Sequence, residues 1–115
     1  MERKGAGMDV QVKRGILEIC VLSVLARGDS YGYQIIKDMN EKVPITESTL
    51  YPILKRLESA GFLTVYSVEH QGRLRKFYAI TMQGRQKIQD FIENWKDVMD
   101  AYQFITEGWN NHDKA

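Results

Sequence analysis

Near the C-terminal end, apolar side chains return every three or four residues: Ile88, Phe91, Ile92, Trp95, Val98, Met99, Tyr102 and Ile105. Two of these series, 88-95-102 and 91-98-105, step by seven, the rhythm of a coiled-coil seam. Asp90, Glu93, Asp97 and Asp100 mostly fall off the seam. With Thr81 as cap, the pattern predicts one helix over about 82–106, roughly 36 Å long at about 1.5 Å per residue. A chain of 115 residues and 13.3 kDa makes one domain. A domain of that size cannot cover a helix so long, so its far end is expected to pack on a second subunit. Residues 107–115 read as a polar tail.

The first helix raises the same question. It is expected over 9–27, between Asp9 as N-cap and an Arg27-Gly28 stop. From Ile16 to Leu25 only Glu18 and Ser23 are polar, so the helix is apolar nearly all round. A chain this small has too little material to wrap it alone, which again points to a second chain covering part of it. Residues 1–8, with Gly5 and Gly7 and no apolar pattern, read as a flexible arm.

Between these helices the pattern is shorter. Asp29-Ser30 caps a second helix over about 30–41, with Tyr31, Ile35, Ile36 and Met39 facing inward. Val43-Pro44-Ile45 breaks it. Thr46, Ser48 and Thr49 offer caps for a third helix ending at Ala60-Gly61, with a core stripe of Leu50, Ile53, Leu54 and Leu57. Pro52 fits best if the first turn begins near Ser48 or Thr49. Leu63–Glu69 and Leu74–Ile80 then read as a hairpin around His70-Gln71-Gly72. The fold class is mainly α with a small β-hairpin. It is a winged helix-turn-helix over 9–81 followed by a dimerisation helix over 82–106.

The surface chemistry suits nucleic acid. Opposite its core stripe, the third helix presents Ser48, Thr49, Tyr51, Pro52 and Lys55, a set fit for a DNA major groove. The hairpin tip carries Arg73, Arg75 and Lys76 with no acid after Glu69, which suits phosphate contact. Net charge is only +1, but residues 1–81 hold twelve basic and nine acidic side chains, whereas 82–115 hold four and six. The body is mildly basic and the last segment acidic.

Other function classes find little support. The apolar runs are far shorter than the ~20 residues of a membrane span, and no secretory leader is expected. Cys20 alone makes neither an internal disulfide nor a Cys-rich zinc site, so a reducing cytoplasm is the expected compartment. On an apolar helix it reads as a small hydrophobe, with redox sensing the lesser reading. His70 and His112 have no spaced partner, so no metal or other cofactor is expected. No Cys/His pair, phosphate-cradling glycine loop or Ser/His/Asp set suggests an enzyme.

Several segments together resemble the PadR-like family of bacterial transcriptional regulators. They are Gly15–Leu22, Gly28–Ile36, Ser48–Glu58 with Gly61-Phe62-Leu63, Gly72–Tyr78 and Ile80–Gly84. The resemblance spans about residues 9–105. Its core is Thr49-Leu50-Tyr51-Pro52, followed by the basic hairpin and by Thr81-x-x-Gly84. It implies a cytoplasmic homodimeric repressor of the short form, with a single C-terminal helix, binding double-stranded DNA at a palindromic operator. It places Tyr33, Ser48, Thr49, Tyr51, Lys55, Arg73, Arg75 and Lys76 on the DNA. The family usually has glycine where this chain has Ser48, a hydroxyl that alters the approach of the helix.

The resemblance also implies a dimer built from the first and last helices, here through Ile16, Ile19, Cys20, Ile88, Ile92, Trp95, Met99 and Tyr102. A tryptophan at the place of Trp95 occurs in members that sense aromatic drugs at the dimer centre. Trp95, Glu93, Met99 and Ile16 are therefore candidates for a small aromatic or cationic ligand. Dimer packing alone explains Trp95 equally well. The rival to the whole reading is a winged-helix protein-interaction module that does not bind DNA.

Overall fold

A computed structural model describes the backbone of residues 10–114 and side chains through residue 111. The expected arm over 1–8 and the Asp9 cap lie outside the described residues. Element order is α1 (Val10–Ala26), α2 (Gly32–Met39), α3 (Glu47–Ser59), β1 (Leu63–His70), β2 (Arg73–Ile80) and α4 (Met82–Lys114). This is the expected winged helix-turn-helix with a long terminal helix.

The core lies where α1, α2 and α3 meet the base of the hairpin. Val21, Leu22 and Leu25 of α1, Ile35 of α2, Leu50, Leu54 and Leu57 of α3 and Leu63 of β1 are almost wholly buried. The C-terminal half of α1 needs no second subunit, because its own chain already covers Val21, Leu22, Val24 and Leu25. The hairpin base and the first turns of α4 close the side that a three-helix count leaves open.

β1 and β2 pair antiparallel from Leu63↔Ile80 to His70↔Arg73. The turn is thus only Gln71-Gly72, with φ of 52° and 79°. Two successive positive φ values are those of a tight hairpin turn matched to strand twist. The base of the hairpin packs on the core through Leu63, Val65 and Tyr78, and its tip stands in solvent.

Three boundaries differ from expectation. Tyr31, not Asp29 or Ser30, occupies the N-cap of α2. Ser30 is held instead in a backbone bridge with Tyr78, donating to its carbonyl at 3.1 Å and accepting from its N–H at 2.7 Å. Pro52 sits inside α3, in its second turn. It lies on the exposed side, so the one backbone bond it removes frees the Ser48 carbonyl to water. Finally, α4 does not end at 106 in a polar tail but continues to Lys114. No proline follows residue 106, and Gly108 alone costs a helix only about 1 kcal/mol.

Thr81 caps α4 as expected. Its Oγ1 accepts the Gly84 N–H at 3.0 Å and donates to the Gly61 carbonyl at 2.8 Å, tying the wing's exit to the end of α3. A Cβ on Gly84 would collide with the Phe62 carbonyl and meet Ile80 Cγ1 at 2.7 Å, so only glycine lets α4 start so close. From there α4 leaves the body, and the molecule measures 67 × 32 × 22 Å. Among the described residues no helix is long and apolar enough to cross a membrane.

Candidate nucleic-acid interface

At about 100° per residue, α3 divides into two sides. Leu50, Ile53, Leu54 and Leu57 are buried. Tyr51, Lys55, Ser48, Pro52, Arg56 and Thr49 follow one another round the exposed arc. The expected division of this helix is what the structure shows.

The Tyr51 edge of the arc meets the wing. Tyr51, Tyr33, Arg75 and Lys76 line one cleft of about 470 Å³ together with Tyr31 and Tyr78. Four of the eight expected DNA residues, drawn from α2, α3 and β2, thus converge. Gly32 makes this possible: a Cβ there would collide with the Tyr51 hydroxyl and stand 2.8 Å from its Cζ. Tyr33 is 67% exposed and free to meet a ligand, whereas Tyr31 and Tyr78 pack α2 against the hairpin. Burial, reinforced by the nearby Tyr51 and Glu58, raises the pKa of Tyr78.

An aromatic ladder fixes the wing's angle. The Arg75 guanidinium lies 4.3 Å from the Tyr31 ring centroid. Tyr31 meets Phe77 at 5.3 Å, and Phe77 stacks on Tyr66 at 5.7 Å. The Tyr66 hydroxyl donates to Asp29 Oδ2 at 2.7 Å. That bond to a carboxylate raises the Tyr66 pKa. Tyr31 was expected to pack α2 against the hairpin, but sequence reading missed Phe77, Tyr66 and Asp29 in this role. The only available signal was strand alternation, which sets Arg73, Arg75 and Phe77 on one face.

The other expected DNA residues lie apart from this cleft. Arg73 stands at the wing tip with His70 and Gln71. Lys55 is exposed one turn beyond Tyr51. Thr49 lies on the opposite edge, facing α1, and Ser48 lies mid-arc, with the Thr46 hydroxyl 3.2 and 3.1 Å from theirs. Arg56 Nε donates to Glu18 Oε2 at 2.6 Å and pins α3 to α1.

A second feature runs between α1 and α4. It is an open trough of about 810 Å³ whose floor includes Ile16, Ile19, Phe62, Phe91 and Trp95. Phe91 stacks on Trp95, centroids 5.4 Å apart. Ile88 is half-buried against the core, Cys20 is half-buried on α1, and Ile92, Met99 and Tyr102 are more than half exposed. Burial raises the Cys20 pKa, keeping a protonated, weakly reactive thiol. Of the four ligand candidates, Trp95 and Ile16 line the trough and Glu93 and Met99 do not. Glu93 is two residues from Trp95, about 160° round the helix, and its carboxylate accepts from Gln89 at 3.0 Å. Asp90 does line the trough. Its separation of five residues from Trp95 carried no obvious signal.

The model of the transcriptional regulator PadR-like family matches residues 21–90. A Streptococcus mutans protein of known crystal structure is 40% identical with a TM-score of 0.74, over 83% of this chain and 90% of that one. A PadR-like transcription factor from Bacteroides fragilis is 32% identical with a TM-score of 0.74, over 83% and 94%. The negative transcriptional regulator PadR of Bacillus subtilis is 29% identical over 82 residues, 67% of this chain but 45% of that protein. The crystal structure of Bacillus subtilis PadR in complex with operator DNA has a TM-score of 0.62 at 27% identity, over 67% and 46%.

Proposed function

Because the chain belongs to the PadR-like family of transcriptional regulators, we propose that it binds a pseudo-palindromic operator in the cytoplasm as a homodimer and represses transcription there. The observation that carries this reading is the convergence of Tyr33, Tyr51, Arg75 and Lys76 beside the exposed arc of α3. The arc enters the major groove, where Ser48, Thr49, Tyr51 and Lys55 meet base edges and phosphates. Arg73, Arg75 and Lys76 of the wing take the adjacent backbone. The crystal structure of Bacillus subtilis PadR in complex with operator DNA supports the assignment.

Dimerisation follows from the unpartnered seam. Ile92, Met99 and Tyr102 are 56%, 56% and 62% exposed. They continue, along α4, the apolar floor of the trough that Ile16, Ile19 and Trp95 line. The distal half of a second chain's α4 fits this trough and covers both, with Cys20 and Ile88 at its margin. A twofold then sets the two reading helices about 34–36 Å apart, one turn of DNA.

A flat aromatic cation entering beside Trp95 and Ile16 releases the operator by favouring a dimer with different head separation. Asp90 supplies the negative charge within the trough, while Met99 and Glu93 reach the ligand only through the second chain. Naphthylmethylamine tests this in a Trp109→Phe background. Quenching of Trp95 with unchanged operator affinity would sink the coupling.

The primary test is fluorescence anisotropy with the duplex upstream of the protein's own gene, beside a scrambled duplex, at low and near-physiological salt. Preferential binding with steep salt dependence is expected. No binding even at low salt would leave a winged-helix interaction module.

A further inference from the structure

The exposed arc of α3 has two edges, and only one of them meets the wing. At the Thr49 edge, Lys13 and Arg14 of α1 stand with Ser48, Thr49 and Pro52 around a hollow of about 500 Å³. No carboxylate lines this hollow among the described residues. Its third cation, Arg56, is already paired with Glu18. Glu47, the acid in the first turn of α3, is two residues from Thr49 and so about 160° away round the helix. Lys13 and Arg14 are exposed, and no hydrogen bond or ion pair engages either among the described residues.

We propose that Lys13 and Arg14 bind phosphates of the DNA strand on the opposite side of the major groove from the wing. This rests on α3 and the wing binding DNA. A helix lying in a groove about 12 Å wide has a phosphate backbone on each flank. Arg75 and Lys76 neutralise one flank. The other falls along the Thr49 edge, where the two α1 cations are the long, uncommitted side chains beside the hydroxyls. Long exposed cations suit backbone positioning rather than base readout. The helix is thus clamped from both sides, which holds its rotation in the groove.

The test compares four proteins on the preferred duplex across a salt series: wild type, Lys13→Ala/Arg14→Ala, the charge-preserving Lys13→Arg/Arg14→Lys, and Arg75→Ala/Lys76→Ala. Each phosphate contact contributes about 0.9 to the slope of log affinity against log salt. In the homodimer the Lys13→Ala/Arg14→Ala pair removes four cations, so it is expected to lower that slope by between about 2 and 4 and to weaken low-salt binding at least tenfold. Its preference over a scrambled duplex, and its thermal melting, should stay those of wild type. The charge-preserving pair should keep the wild-type slope. A wild-type slope in the alanine pair, when Arg75→Ala/Lys76→Ala loses slope, overturns this inference and leaves the operator reading standing. Wild-type protein with no salt dependence and no preference overturns both.

Discussion

The Tyr51 hydroxyl fills the space that any side chain on Gly32 would need, so the first turn of α2 sets where the reading helix presents its aromatic ring. Tyr51 is 46% exposed, which means the ring has somewhere to go. Gly32→Ala should therefore cost about 1 kcal/mol or less in urea unfolding, at the low end for overpacking. It should nonetheless lower operator affinity about as much as Tyr51→Ala, roughly tenfold. The two substitutions together should be no worse than either alone. Additive losses in anisotropy would show that Gly32 does not act through Tyr51.

The Tyr31 ring holds the Arg75 guanidinium beside the cleft before DNA arrives. A contact of this kind is worth about 0.5–1 kcal/mol at an exposed site. Tyr31→Leu is expected to weaken operator binding about threefold, whereas Tyr31→Phe keeps the ring and the affinity. In an Arg75→Ala background Tyr31→Leu should have no further effect.

Thr81 joins three elements through one oxygen. Thr81→Ala should destabilise the chain by about 1–2 kcal/mol, the upper range for a lost N-cap, and Thr81→Ser should recover most of it. Urea unfolding checks both, and equal midpoints for Thr81→Ala and wild type would refute the role.

The exposed seam of α4 predicts association. Met99→Glu with Tyr102→Glu sets like charges on both chains across a twofold and should halve the mass seen in sedimentation equilibrium. Wild-type melting should rise with concentration, and that dependence should vanish in the variant.

The Tyr66–Asp29 bond predicts a change at alkaline pH. Its folded pKa lies above the ordinary tyrosine value. The bond's contribution is therefore complete below that ordinary value, about 10, and is lost as pH rises through the folded pKa. Tyr66→Phe should remove that contribution at neutral pH and flatten the alkaline limb of the stability profile, as urea unfolding followed across pH would show.

Sequence alone determined the order of elements, the two sides of α3 and the basic wing. These are local matters: Leu50, Ile53, Leu54 and Leu57 sort by helical period, and Arg73, Arg75 and Lys76 need only a turn to stand in solvent. It also showed that α4 outruns the domain, although not that the helix continues past residue 106, because a polar surface helix carries no apolar period to count. What the tertiary structure decided was which residues meet. The C-terminal half of α1 proved covered by its own chain because the wing's base and α4 fold back over it. Glu93 proved to lie outside the trough that Trp95 lines, and Asp90 within it. The Gly32–Tyr51 fit, the ladder from Asp29 to Arg75 and the place of Lys13 and Arg14 beside Thr49 join segments far apart in the chain. Such contacts depend on how helices and hairpin pack against one another, a relation that no periodicity within one segment records.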